Sequence, residues 1–192
     1  MGRIFNRSYP LRFPVEETSL LSLKIGDPVA ISGEIYVARD AAHQRMLAAL
    51  QENRALPFPL ENGLIYYMGP TPAPPGFVIG SCGPTTSSRM DKFTIPLLAR
   101  GLRATMGKGR RSPAIASACR KYRAVYLATY GGCGAYLNRF VRECVLLAYP
   151  ELGPEAIYRL KVREFPAIVV IDVTGRDFYA EREKRYNDSQ RP

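Results

Sequence analysis

Three short segments of the chain carry residues that could bind and transform a small anion. Arg39 and Asp40, with His43 close behind, follow a predicted strand, and the segment Thr85–Arg89 follows another. Lys108 stands between two glycines on a predicted loop. Arginine can hold a planar carboxylate through two parallel hydrogen bonds, whereas lysine acts as a point charge. Two arginines and one lysine that converge would therefore match a ligand with two carboxylates.

Each of these residues also has an ordinary structural interpretation. His43 shares a helical stripe with Leu47 and Leu50, which is as typical of a hydrogen-bonded core histidine as of a functional one. An arginine before a helix is most often solvated or paired with an acid. The threonines of the second segment could cap a helix, and Lys108 could be loop charge. The prediction of a site therefore depends on the three segments taken together.

The predicted secondary structure places the first two of these segments where strands feed into helices, and Lys108 on a third loop. Ligands of α/β proteins bind at such junctions, because unpaired backbone N–H groups there attract anions. The predicted fold class is α/β, with mixed sheets and flanking helices. The predicted strands are Val29–Ile31, Ile35–Ala38, Leu64–Tyr67, Phe77–Ser81, Ala124–Thr129, Ile157–Val162 and Ala167–Val173. The predicted helices are Ala41–Gln51 with Asp40 as N-cap, Ser88–Arg100 interrupted at Pro96, Pro113–Lys121 and Gly134–Ala148, and a surface helix or frayed end follows Arg176.

The composition limits the class of protein. A chain of 192 residues with 46% hydrophobic residues can form one folded domain and is not disordered throughout. No apolar run approaches the roughly 20 residues that span a bilayer, and no apolar block follows the basic N-terminus, so we expect a cytoplasmic protein without a membrane partner. The four cysteines form no Cys-x-x-Cys pair and one histidine alone could join them, which predicts buried free thiols and no metal site.

The net charge of +10 is concentrated in the segment 100–123, which has eight Lys or Arg residues and no acid. Nucleic acid, an acidic protein surface and a small anionic substrate would all fit such a segment. A nucleic-acid-binding module predicts aromatic or amide side chains between the cations, and this segment offers Tyr122 alone. A small anion is therefore the favoured ligand, and nucleic acid is the distant alternative.

Four strings in the sequence belong together, and the first two of them are highly specific in combination. They are ARDAAH (Ala38–His43), GPTTSSRMD (Gly83–Asp91), GKG (Gly107–Gly109) and FPAIVVID (Phe165–Asp172). Together they resemble the beta subunit, or C-terminal domain, of class I iron–sulfur fumarases and the related L-tartrate dehydratases. The resemblance predicts a catalytic domain at residues 23–175, an N-terminal extension at residues 1–22 and a charged tail at residues 176–192.

The resemblance implies a swivelling β/β/α domain that forms half of a hydro-lyase. In that family a separate alpha portion supplies three cysteines to a 4Fe–4S cluster with one open iron. This chain is thus expected to hold none of the cluster ligands and to need an alpha subunit, in an alpha–beta dimer or a higher heteromer. The implied reaction is reversible hydration of fumarate to L-malate, in which the open iron acts as a Lewis acid on the C2 hydroxyl. L-Tartrate or a similar 2-hydroxy dicarboxylate is the alternative substrate.

The resemblance also implies a binding role for most of the residues in the three segments. Arg39, Arg89 and Lys108 would bind the substrate carboxylates and stabilise the charge that develops when the C3 proton leaves. Thr85 and Thr86 would contact the substrate.

The proton-transferring residue is left open by the sequence. Thr85 is one candidate, although its hydroxyl is a poor base unless a charged group assists it. His43 is the more natural titrating group near neutral pH, and Asp40 joins it among the catalytic candidates.

Arg110 and Arg111 extend the basic loop after Lys108, and this extension could serve docking on the partner.

Overall fold

The structure is a computed structural model and describes residues 8–189. These residues form a mixed α/β fold, which confirms the predicted fold class. The strands are β1 (Tyr9–Phe13), β2 (Pro28–Val37), β3 (Leu64–Tyr66), β4 (Ala104–Gly107), β5 (Val125–Ala128), β6 (Val141–Ala148) and β7 (Ile157–Ile171). The helices are α1 (Glu17–Leu21), α2 (Asp40–Gln51), α3 (Asp91–Leu98), α4 (Pro113–Tyr122), α5 (Gly134–Leu137) and α6 (Phe178–Ser189). Short 3₁₀ segments lie at Ser87–Met90, Asn138–Phe140 and Pro150–Glu155.

The strands belong to one sheet in the order β1-β2-β3-β4-β5-β7-β6. Strands β1 to β5 pair in parallel, whereas β7 runs antiparallel to its partners β2, β5 and β6. Because β7 pairs with both β2 and β5, the two outer members of the set β2-β3-β4-β5, these pairings form a closed circuit. Because β1 to β5 run in the same direction, their carboxyl ends all lie on one side of the fold.

The two faces of the sheet are buried against different partners. Leu64 and Tyr66 of β3 belong to a core cluster to which every strand contributes, while Ile65 between them joins the cluster beneath α2 and α3. This alternation follows from the two-residue period of a strand. Helix α4 covers a third cluster, with Ile115 against Tyr126. The helices thereby fix the loops that follow β2, β3 and β4.

The two strands predicted on either side of Ser32-Gly33 are one strand, β2. Gly33 has a φ of +103°, and a β-carbon there would lie 2.1 Å from the carbonyl oxygen of Phe13. The glycine therefore allows β1 to approach, and the β2–β7 register shifts between Ile31 and Gly33 without a chain reversal.

The last two predicted strands are likewise a single strand, β7. Glu164, with a φ of 54°, takes up the irregularity between them, and its N–H donates to Ser32 Oγ at 3.0 Å. The proline that follows, Pro166, is accommodated opposite Ala30.

Two predicted elements are wrong. The predicted helix Gly134–Ala148 is helical only to Leu137, and after a 3₁₀ turn its second half is strand β6, paired with β7. Its apolar residues suit either structure locally, and the backbone partners offered by β7 decide the outcome. The predicted strand Phe77–Ser81 is a loop, in which Thr71 Oγ1 accepts the N–H of Ser81 at 2.7 Å.

The ends of the described chain differ in burial. Residues 8–22 of the predicted extension contribute Leu11, Phe13 and Leu20 to the main core cluster. The predicted surface helix of the tail is α6, which has no buried residue. Residues 1–7 of the extension and 190–192 of the tail lie outside the described residues. Among residues 8–189, none of the helices is long and apolar enough to cross a membrane.

Candidate active site

The three predicted segments meet at the carboxyl ends of β2, β3 and β4. Arg39 follows β2 and directly precedes α2, and Lys108 follows β4. The N–H of Thr85 donates to the carbonyl of Tyr67, the residue after β3, at 2.8 Å. Because these neighbouring strands are parallel, the loops that leave them share one edge of the sheet.

Arg39 is held from two sides. Its Nη2 lies 3.4 Å from Glu155 Oε1, and the other oxygen of Glu155 accepts the N–H of Ala41 at 2.9 Å, which satisfies a free donor at the start of α2. On the other side, a β-carbon at Gly69 would lie 2.8 Å from Arg39 Nη1. The guanidinium is half-buried, and its Nε has no hydrogen-bond partner among residues 8–189. Sequence reasoning missed Glu155, since no local pattern connects it to Arg39.

Arg89 joins the first two segments. Its Nη2 donates to Thr85 Oγ1 at 2.8 Å and lies 3.4 Å from Asp40 Oδ2. About half of the Arg89 side chain is exposed, as is a third of that of Asp40. The pair is therefore open to a ligand, and the carboxylate of Asp40 orients the guanidinium toward the threonine.

Lys108 is attached to the second segment by its backbone. Its N–H lies 3.2 Å from the carbonyl oxygen of Thr85 and 3.1 Å from Ser87 Oγ, and its carbonyl accepts the N–H of Ser87 at 3.0 Å. An isolated parallel bridge joins Lys108 to the exposed Thr86. The lysine side chain is exposed, with its Cδ close to Gly131 in the loop after β5.

His43 lies beneath this surface. Its side chain is fully buried between Tyr67 and Phe93, and its Nδ1 donates to the carbonyl of Arg39 at 2.7 Å. Burial lowers the pKa of His43 to about 4 and outweighs the hydrogen bond to Arg39, which acts in the opposite direction. The imidazole is therefore neutral near pH 7, with an Nε2 that has no partner among the described residues. This placement favours the core interpretation of His43 and suits an orienting role.

Behind the loops lies an ion pair that the sequence did not predict, between Arg111 and Asp91. The side chain of Arg111 is fully buried, and its Nε donates to Asp91 Oδ1 at 2.5 Å. The suggestion that Arg111 docks a partner is wrong, because its guanidinium does not reach the surface. In the sequence, only the nearness of Arg111 to Lys108 and of Asp91 to Arg89 pointed to a link between this pair and the candidate site.

The basic segment 100–123 is not a uniform cationic stripe. Four of its eight cations are paired with carboxylates: Arg103 and Arg123 with Glu17, Arg110 with Glu183, and Arg111 with Asp91. Their side chains are divided between two ends of the fold and its interior, which does not favour a continuous nucleic-acid surface.

The cysteines do not form a cluster site. Cys82 and Cys119 are buried as predicted, and burial raises the pKa of each thiol to about 12, whereas Cys133 is exposed, contrary to the prediction. Within residues 8–189, no three His, Cys, Asp or Glu residues are grouped as metal binding would require. Since a 4Fe–4S cluster is bound by several thiolates at one place, the donors described in this chain do not fit it.

The arrangement as a whole groups cations with a hydroxyl, as the binding of an anion would require. Arg89 contacts Thr85 through its exposed guanidinium and Lys108 contacts it through its backbone, and the half-buried Arg39 adjoins Asp40 in the same group of loops. Cations in this setting can bind carboxylates and stabilise charge that develops on one of them.

Comparisons with known proteins point to one family. The model of the family described as "Fumarase C-terminus" matches residues 7–182. Fumarate hydratase 2 of Leishmania major and the aerobic class I fumarate hydratase of Escherichia coli (strain K12) are each 35% identical over 89% of this chain. This chain spans 31% and 32% of their lengths, about a third. The L(+)-tartrate dehydratase subunit beta of the same E. coli strain is 30% identical over 95% of this chain and 92% of its own length.

Proposed function

Because this chain belongs to the family of fumarase C-terminal domains, we propose that it is the beta subunit of a two-subunit hydro-lyase acting on a small dicarboxylate. The observation that carries the proposal is the group formed by Arg89, Thr85 and Asp40 at the carboxyl ends of parallel strands, with Arg39 and Lys108 on adjoining loops. A domain of the swivelling β/β/α type belongs to the same proposal.

Fumarate, hydrated reversibly to L-malate, is the substrate that we favour. Fumarate and L-tartrate both have two carboxylates that match cations on separate loops, and we favour fumarate because two of the relatives are named for it. L-Tartrate is the alternative, because a relative that matches nearly the whole chain is named for it. An additional hydroxyl would need one more hydrogen-bond partner in the site, and Thr86, which is exposed beside Lys108, is one that this chain could offer.

The cations have two tasks in this mechanism. They bind the carboxylates of the substrate, and they stabilise the negative charge that spreads onto one carboxylate when the C3 proton is removed in the dehydration direction. Arg89 acts as a fork and Lys108 as a point charge. Charge stabilisation of this kind raises the rate because it is stronger in the transition state than in the bound substrate.

Thr85 is the residue that we propose to exchange the C3 proton. Its hydroxyl must first release its own proton to solvent, and the guanidinium of Arg89, 2.8 Å from the oxygen, would stabilise the resulting alkoxide, which then accepts the C3 proton. The buried, neutral His43 is then an orienting group, since its donor holds the carbonyl of Arg39 at the start of α2. Asp40 orients Arg89 from the other side.

The cluster and the partner belong together in the proposal. A 4Fe–4S cluster held by an alpha subunit would polarise the leaving hydroxyl, and the residues of this chain would act on the rest of the substrate. One observation supports an alpha subunit: a relative that matches 95% of this chain over 92% of its own length is named a beta subunit. The free cysteines suit a reducing, cytoplasmic compartment.

Anaerobic co-expression of the chain with its alpha subunit tests the function. The purified complex should hydrate fumarate faster than either subunit alone, and L-tartrate assayed side by side ranks the two substrates. Iron analysis of the chain purified alone is the companion measurement. Stoichiometric iron in the isolated chain would contradict the division of labour, and a complex inactive on both substrates would sink the proposal.

A further inference from the structure

The buried pair Arg111–Asp91 links the two segments that carry the exposed cations. Asp91 follows Arg89 by two positions at the start of α3, and Arg111 follows Lys108 by three in the loop before α4. One oxygen of Asp91 accepts Arg111 Nε at 2.5 Å, and the other accepts the N–H of Ser112 at 2.8 Å. A single carboxylate thus holds the Lys108 loop at two points.

The guanidinium of Arg111 is fixed from every direction. Its Nη2 donates to Thr94 Oγ1 at 2.7 Å, and its Nη1 donates to Thr105 Oγ1 at 3.2 Å. The rings of Tyr67 and Tyr126 lie 5.4 and 4.9 Å from its Cζ, within the range of cation–π attraction. Strand β4, helix α3 and the strand ends of β3 and β5 therefore all meet at this one side chain.

A second link reinforces the first. The hydroxyl of Tyr126 lies 3.0 Å from Ser87 Oγ and donates to the carbonyl of Gly109 at 2.9 Å, while Ser87 Oγ accepts the N–H of Lys108. A β-carbon at Gly107 would lie 2.0 Å from Ser87 Oγ, so the two segments are in direct contact. The backbone on both sides of Lys108 is consequently tied to the segment of Arg89.

Stability alone is a poor explanation for this pair. A buried ion pair loses in desolvation much of what it gains in attraction, and well-packed apolar residues often replace it without loss of stability. What apolar residues cannot replace is the directional hold of a carboxylate on two N–H groups. Cations that act on a substrate need such support, because a misplacement of about 1 Å can cost about 100-fold in rate.

We propose that Arg111 and Asp91 are positioning residues that set the placement of the Lys108 ammonium relative to the Arg89 guanidinium. The pair touches no substrate and acts through the loop backbone that it holds. This inference deepens the proposed function and rests on it for its catalytic consequence. The structural part, the hold on the Lys108 loop, does not depend on the substrate.

The decisive variant is the double substitution Arg111→Met with Asp91→Leu, studied in the alpha–beta complex. It removes both charges together, so neither is left buried and unpaired, and we expect the melting temperature to stay close to that of the wild type. We expect the KM for fumarate to rise about tenfold or more, with a smaller change in kcat, because the substrate cations are no longer held at their proper separation. Asp91→Glu, which keeps the charge but lengthens the side chain, should raise KM in the same direction.

Amide hydrogen exchange of the segment 107–112 in the full chain is a readout that needs no activity. The double variant should exchange this segment at least about tenfold faster than the wild type, since Ser112 loses its acceptor. Arg123→Met is the matched control, because it removes an exposed ion pair with Glu17 at the opposite end of the parallel strands. It should change neither KM nor exchange in the segment.

The outcomes separate the two proposals. A double variant with unchanged exchange in the segment overturns the inference, whatever the activity of the complex. An active complex in which the double variant keeps the wild-type KM overturns it as well. A wild-type complex that is inactive on both dicarboxylates overturns the proposed function instead, and exchange then still decides whether the pair holds the loop.

Discussion

The guanidinium of Arg89 donates a hydrogen bond of 2.8 Å to the hydroxyl oxygen of Thr85. A cation at this distance stabilises negative charge on that oxygen, which an isolated threonine could hardly bear. The same guanidinium lies 3.4 Å from Asp40, so the carboxylate, the cation and the hydroxyl form a continuous line across two loops. These two contacts of Arg89 distinguish the site from scattered surface charge. Substitutions of Thr85 and Arg89 test them.

Thr85→Val should abolish most of the activity. Valine keeps the shape of threonine but removes the oxygen that Arg89 contacts, so we expect kcat to fall by about 10²- to 10⁴-fold, the range attributed to general acid–base groups. Thr85→Ser, which keeps the hydroxyl, should retain a much larger share. Steady-state kinetics of the reconstituted complex provides the measurement, and equal activities of the two variants would exclude proton transfer by this hydroxyl.

Arg89→Lys should separate charge from geometry. Lysine keeps the positive charge but lacks the planar guanidinium whose Nη2 contacts both Thr85 and Asp40, and we expect kcat/KM to fall by about 10²- to 10³-fold. The melting temperature should hardly change, because exposed ion pairs contribute only about 0–1 kcal/mol. If kcat/KM stays within a few-fold of the wild type, a point charge suffices and the line from Asp40 to Thr85 is not needed.

His43 should make the protein sensitive to acid. Its pKa is lowered by burial to about 4 from 6.5, so between these values the unfolded chain binds a proton that the folded chain does not. Stability contributed by the neutral histidine is therefore intact above pH 6.5 and declines as the pH falls toward 4, by roughly 2 kcal/mol at pH 5.

Urea unfolding of wild type and His43→Asn at pH 7 and pH 5 measures this contribution. Asparagine can still donate to the carbonyl of Arg39 but does not titrate, so its stability should fall less between the two pH values than that of the wild type. In addition, kcat/KM should depend on pH in the same way in the wild-type complex and in the complex that carries His43→Asn. Identical pH dependence of unfolding in both proteins would contradict the buried, neutral state of His43.

Gly69→Ala should displace Arg39. The new β-carbon would lie 2.8 Å from Arg39 Nη1 and 2.8 Å from the carbonyl oxygen of Pro154, and the backbone oxygen cannot move as freely as a side chain. We expect a loss of about 1–3 kcal/mol in the free energy of unfolding, typical of overpacking, together with a raised KM.

Glu155→Gln provides the comparison for that variant. It leaves an oxygen to accept the N–H of Ala41 but removes the charge opposite Arg39. It should raise KM with little change in stability, and kinetics together with melting curves distinguish the two effects. An unchanged KM in both variants would remove Arg39 from the binding site.

Local sequence was sufficient for part of the site. Arg39 was predicted at a strand-to-helix junction, and it does stand between β2 and α2. Lys108 was predicted on a loop without strand β4 before it, and the strand predicted before Thr85 is a loop, so only the structure brings these two segments to the carboxyl ends of β3 and β4. Local sequence also failed where one apolar pattern suits two structures, as in Val141–Ala148, which became a strand because β7 supplied the partner.

The sequence by itself determined the α/β class, the strings that carry the cations and the junction at which Arg39 stands, because these depend on residues close together along the chain. Only the tertiary structure decided that His43 is buried, that Arg111 is buried against Asp91 and not exposed for docking, and that Glu155 pairs with Arg39. Those outcomes depend on burial and on partners far apart in sequence, such as Ala41 and Glu155, which are 114 positions apart. Desolvation and distance act in space, and no local pattern of residues encodes them.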